Sequence, residues 1–158
     1  MRILEQKAKK VIIFDIDGTL ADSGHREHLI QDRTKADWYT FFEESRNDPP
    51  HYEIQWLNHI MAERDDVDLI VLTARPDYSR IMTVEWLAKH DIAHTELIMK
   101  HMRQDGGYDS DHEFKEKVLE QLTADGRKPY MVFEDRQSVV DMWRSRGIKC
   151  LQVQPGDF

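Results

Sequence analysis

A chain of 158 residues is long enough for one compact core and too short for two full ones, so any second element has to be a small insertion. With 40 % apolar and 33 % charged residues, both signs interspersed, it has the composition of a soluble globular protein and not of a disordered one. A formal charge of −8 excludes a broad polyphosphate-tracking surface, yet leaves open the reading of one nucleotide or one strand end.

The N-terminal "MRILEQKAKK" lacks an apolar signal core, and no window approaches the roughly 20 apolar residues that span a bilayer, which predicts a cytoplasmic protein with no membrane partner. "VIIFDIDGTL" (11–20) is an apolar run that stops at two aspartates, and it predicts a first buried strand. From Asp22 to Arg64 two helical patterns flank "NDPP", where Asp48 is expected to cap and the prolines to open the second helix. The first part, about 22–48, is expected to form a small lid. In it Trp38, Phe41, Phe42 and Ser45 share a face that reads as packing, while Tyr39 points with Lys35, Glu43 and Arg46 to the polar side.

"VDLIVLTARP", "TELIMK", "KPYMVFEDR" and "GIKCLQVQPG" predict four further strands, and Cys150 in the last reads as a small buried apolar residue. Between them "DYSRIMTVEWLAKH" is expected to turn Ile81, Val84, Leu87 and Ala88 inward. "QDGGYDSD" (104–111) has loop composition, "DHEFKEKVLEQL" is helical, and "SVVDMWRSRG" packs Val139, Val140 and Trp143 before Gly147 ends it. Strand and helix alternate, so the predicted class is α/β: a doubly wound, Rossmann-like, five-stranded parallel sheet with a helical lid inserted after the first strand.

In such a sheet ligands lie beyond the C-terminal strand ends, which pools Asp15 and Asp17, Thr73 and Arg75, and Glu134 and Asp135. Several carboxylates facing one crevice need a cation, and a hard oxygen-preferring ion such as Mg²⁺ suits them and converts an anion-repelling cleft into a phosphate-accepting one. Lys115 shares its helix face with Val118, Leu119 and Leu122 and points inward, whereas Lys117 points to solvent. His25 and His28 find no further ligand to complete a zinc set, so the histidines read as surface or packing residues.

"DIDGT", then "LTAR", then the inward lysine, then "FEDR", each at the end of its element, together resemble the haloacid dehalogenase superfamily of phosphotransferases. The resemblance implies that Asp15 is the nucleophile and Asp17 the general acid and base, that Thr73 and Lys115 hold the transferring oxygens, and that Asp15, the Asp17 carbonyl and Asp135 hold Mg²⁺. Glu134 stands where an aspartate is commoner and is expected to bind the metal directly or through water. The segments "LIMKHMRQDGGYDSDHEFKEKV" and "EDRQSVVDMWRSRGIKCLQVQPGDF" are similar to the 3'-phosphatase domain of phage-type polynucleotide kinase/phosphatase. That similarity implies substrate-binding roles for Arg26, Arg75, Arg103 and Asp111, with Thr19 and Ala74 inside the same motifs. No GxxxxGK[ST] phosphate loop occurs, so the sequence covers at most the phosphatase half, and a separate kinase or ligase is an expected partner.

The expected function is Mg²⁺-dependent removal of 3'-phosphates from polynucleotide ends or nucleotides, through an aspartyl-phosphate. The alternative is a soluble (deoxy)nucleotidase; a noncatalytic binding module would have lost Asp15 or Asp17, and both are present.

Overall fold

The computed structural model describes residues 8–156. Five strands, β1 (Lys10–Phe14), β2 (Val67–Pro76), β3 (Glu96–Lys100), β4 (Pro129–Arg136) and β5 (Cys150–Gly156), form one all-parallel sheet in the order β3-β2-β1-β4-β5. The expected doubly wound architecture is present. The order reverses at β1, so its C-terminal end opens at the switch point where such sheets bind ligands.

Alternate residues of each strand face opposite layers, and the core divides accordingly. Val11, Ile13, Ile70, Leu72 and Val132 pack beneath α4 (Asp111–Ala124) and α5 (Gln137–Ser145). Ile12, Phe14, Leu69, Val71 and Phe133 pack beneath α2 (Tyr52–Ala62) and α3 (Arg80–Lys89), with Phe14 and Phe133 stacked at 4.6 Å across the β1–β4 pair. Cys150 lies in the first of these layers, where burial pushes its thiol up to about 12 and leaves it inert.

Two helix expectations are corrected. In α3 the buried residues are Met82, Thr83, Trp86 and Leu87, while Ile81, Val84 and Ala88 are exposed. The helix is rotated to bury the Trp86 indole, whose N–H finds an acceptor in the Asp48 carbonyl at 2.9 Å. Asp48 does not cap α2: the cap position is His51, without a side-chain bond, and the Asp48 carboxylate is spent on a buried arginine. Ser110 and Glu113 close a reciprocal capping box that starts α4 and so sets the angle at which Lys115 enters the sheet end. Among the described residues no helix is long and apolar enough to cross a membrane.

Candidate active site

The loop after β1 turns back on itself through Gly18 N–H to Ala21 carbonyl (2.8 Å) and Thr19 N–H to Ile16 carbonyl (3.0 Å). Gly18 has φ +81°, and a Cβ there would collide with the Asp135 carboxylate; only glycine lets the loop and the β4 end approach this closely. From the far side Gln154 donates to the Gly18 carbonyl and Gln152 to the Asp135 carbonyl, at 2.8 and 2.9 Å, so β5 buttresses both motifs. In β2 and β4 the pairing register breaks after Thr73 and after Glu134. Thr73, Arg75, Glu134 and Asp135 therefore sit in irregular strand ends, whereas Asp15 and Asp17 lie in the loop just beyond β1.

These ends line a cavity of about 520 Å³ that gathers Asp15, Asp17, Thr73, Ala74, Arg75 and Lys115 with Glu134, Asp135 and Asp111. Lys115, 2 % exposed, donates to Asp15 Oδ1 and to Glu134 Oε2, both at 2.7 Å. The pairing removes the penalty of a buried ammonium and holds Lys115 charged. Glu134 Oε1 accepts from the backbone N–H groups of Asp135 and Arg136 at 3.1 and 3.2 Å, so both of its oxygens are engaged. Asp15, Glu134 and Asp135 bring one oxygen each within 4.8 Å of one another. Burial, with Glu134 close by, raises Asp15 to about 7, and burial, with Asp15 and Glu134 close by, raises Asp135 to about 9.

Asp135 Oδ2 is buried with no hydrogen-bond partner among the described residues. An acceptor left in that state is what a bound cation relieves, and hard carboxylate oxygens such as those of Asp15 and Asp135 suit a hard divalent ion; the cluster fits a metal.

Asp17 faces away from that cluster, into two guanidinium groups. Arg75 donates to it from Nε at 3.0 Å and from Nη2 at 2.7 Å, and Arg26 from Nη2 at 2.5 Å. Burial alone would raise this carboxyl, but Arg75 and Arg26 hold it well below the usual carboxylate range. Arg26 is fully buried and does not line the cavity: it forks onto both Asp48 oxygens (2.8 and 2.6 Å), donates to the Phe41 carbonyl (3.1 Å) and lies over the Phe41 ring. His25 joins the same Asp48 carboxylate at 2.7 Å. Arg26 thus stands behind Asp17, as part of its mounting.

Asp111, at the start of α4, bridges Lys100 and Arg136 at 2.5 Å each. Burial would raise it, yet Arg136 and Lys100 keep it below its ordinary value. Arg103 is not brought to the cavity: it is exposed and pairs with Asp105 and Asp109 in its own loop. Thr19 is fully buried beneath the loop and does not line the cavity either. Lys100 and the aromatic wall of Trp38, Phe41, Phe42 and Tyr78 are additions to the cavity, and Asp48 is an addition behind it, reached through Arg26. Lys100 was accessible from the strand-exit rule applied to the third strand. Asp48 carries no local signal.

The family model of the polynucleotide kinase PNKP phosphatase domain matches residues 9–158. The chain belongs to this family. It is a PNKP-type phosphatase domain of the haloacid dehalogenase superfamily, a phosphomonoesterase, and a noncatalytic module is set aside. Among solved structures this PNKP-type domain is similar to a chain of the Pnkp1/Rnl/Hen1 RNA repair complex, with 25 % identity and TM-score 0.75 over 98 % of the present chain and 45 % of that one. The domain thus spans about half the length of the chains it matches in structures of the Pnkp1/Rnl/Hen1 complex. The fold alone is shared with the HAD-hydrolase YfnB from Bacillus subtilis bound to magnesium (11 % identity, 92 % and 87 % covered, TM-score 0.61). The same holds for a phospho-aspartyl intermediate analogue of phosphoserine phosphatase (14 %, 90 % and 86 %, 0.55).

Proposed function

We propose that this chain removes the 3'-phosphate from polynucleotide ends with Mg²⁺ as cofactor. The observation that carries the reading is the family match of residues 9–158 onto a cavity whose floor holds the Asp15–Lys115 pair. Asp15 attacks phosphorus, its new P–O bond forming as the ester P–O bond to the 3'-oxygen breaks. Lys115 and Thr73 steady the transferring oxygens, Lys115 already charged beside the nucleophile. Asp15, the Asp17 carbonyl and Asp135 would hold Mg²⁺, whose positive charge would offset that of the phosphate. Glu134, with both oxygens engaged, acts by placing Lys115 and the Asp135 backbone rather than by ligating.

Asp17 protonates the departing 3'-oxygen and later takes a proton from the water that cleaves the aspartyl-phosphate. While Arg75 and Arg26 hold it, Asp17 is an anion and ready for the second task. An incoming phosphate competes for Arg75, which lines the cavity, and relaxing that bond lets Asp17 keep a proton for the first. The segment 22–48 serves as the lid over this chemistry. A separate kinase or ligase is its partner in end repair, by analogy with the assembly named for the Pnkp1 neighbour.

Matched oligonucleotides phosphorylated at the 3' or the 5' end, assayed with Mg²⁺ and with EDTA, test the reading. Release from the 3' end that EDTA abolishes is expected, and Asp15→Asn should be inactive. Release only from the 5' end overturns the assignment. A nucleotidase acting on mononucleotides is favoured by one observation, the strongly acidic chain, and equal turnover of a mononucleotide and a longer strand would establish it.

A further inference from the structure

The wall opposite the carboxylate floor is aromatic. Trp38 and Phe42 of α1 (Trp38–Glu43) have ring centroids 6.1 Å apart, Phe42 meets Tyr78 edge-on at 6.2 Å, and Tyr78 stacks with Tyr39 at 6.5 Å. Two separate segments, the insertion and the turn after β2, supply this continuous surface. Phe42 is buried, but Trp38 is 41 % and Tyr78 50 % exposed, and both line the cavity that contains Asp15. Of the stripe expected to be packing, Phe41, Phe42 and Ser45 are buried and Trp38 is exposed. Tyr108 lines the same cavity, and its hydroxyl has no hydrogen-bond partner among the described residues. A bare phosphate would use none of this. The wall suits a ligand with an anion at one end and a flat, weakly polar ring at the other.

We infer that Trp38 and Tyr78 stack the nucleobase adjoining the phosphate to be removed, so that the terminal nucleoside is recognised together with its phosphate. The inference rests on the reading of the substrate as a nucleotide end and adds what selects that end. Stacking tolerates any base, because every base has a π-face, so the rim confers a requirement for a base and little preference among the four. In a chain whose 30 acidic residues outnumber its 22 Lys and Arg, the ring contact adds to the grip on the end that a net-negative surface does not supply.

The test uses two 3'-phosphorylated oligonucleotides, identical except that one ends in a normal nucleotide and the other in an abasic sugar. Wild-type kcat/KM should be about 10-fold or more higher on the base-bearing end, within the range that base–aromatic stacking supplies. Trp38→Ala and Tyr78→Ala should bring that ratio near one by slowing the base-bearing end, and Tyr78→Phe should restore it. Equal wild-type rates on the two ends overturn the inference without using any variant. So does an alanine variant that slows both ends by the same factor. Wild type acting only at 5'-phosphates would instead defeat the proposed function, a separate result.

Discussion

The Lys115 ammonium lies 2.7 Å from Asp15 Oδ1, joining two residues that are 100 positions apart in the sequence. The same ammonium reaches Glu134, so one cation ties α4 to the ends of β1 and β4 and is the counter-charge of three carboxyls. Lys115→Met should lower phosphatase activity by at least about 10²-fold, the usual effect of removing one donor from a transferring oxygen. It should also lower the melting temperature in EDTA, because Asp15 and Glu134 lose the buried ammonium they share. Mg²⁺ should recover part of the melting temperature and none of the activity. A fully active Lys115→Met protein would contradict the assigned role.

The carboxyls predict a pH dependence. Asp15 and Asp135 are raised from 3.8 to about 7 and about 9. Between these limits the native state holds protons that the unfolded chain has released, so stability is greatest at the acid side of the window and falls as pH rises through it. Asp17, held low, titrates below the window and does not offset this. Without metal, the melting temperature should drop between pH 5 and pH 9, the span over which Asp15 and Asp135 deprotonate in the folded protein. Stabilisation by Mg²⁺ should grow over the same span, since the ion competes with those protons. Asp135→Asn should flatten both trends; scanning calorimetry at the two pH values measures them.

Glu134 and Asp135 are adjacent acids with unequal freedom. Glu134 has both oxygens bonded, whereas Asp135 Oδ2 has none of its bonds made. Asp135→Asn should therefore abolish the thermal shift produced by millimolar Mg²⁺, while Glu134→Gln should keep most of that shift and lose activity through Lys115. If Glu134→Gln removed the shift as completely as Asp135→Asn, Glu134 would be a ligand after all.

The sheet and the floor of the site were legible because both obey rules that act locally: buried parallel strands read as apolar runs, and chemistry collects at their ends. Asp15, Asp17, Thr73 and Asp135 fell out of those rules together. Rotation of α3 was hidden because it depends on a bond from Trp86 to the Asp48 carbonyl, 38 residues away in the chain. Phe41 and Phe42 were readable as inward residues, but that the adjoining Trp38 opens onto the cavity depends on where the insertion folds back, which its own periodicity does not encode. Arg103, unlike Arg75 at its strand exit, was singled out by the family similarity alone, and only the structure shows it held by Asp105 and Asp109.

Arg26 and Asp48 make the last and most local case. Both side chains are fully buried, the guanidinium spans both Asp48 oxygens, and its remaining donors hold Asp17 and the Phe41 carbonyl. Breaking such a pair leaves the buried Asp48 carboxylate with only His25 at 2.7 Å and the more distant Arg75 at 3.5 Å to offset it, so Arg26→Ala should lower the unfolding free energy by about 3–5 kcal/mol in urea titration. Arg26→Lys should restore little, because a point charge cannot replace the planar fork that reaches three acceptors at once. Replacing both partners, Arg26→Met with Asp48→Asn, should cost less than the sum of the single changes, the mark of direct coupling in a double-mutant cycle. Activity should not follow stability back: without Arg26 the mounting of Asp17 is lost, and the double variant should remain slow on 3'-phosphorylated ends even where it is as stable as wild type.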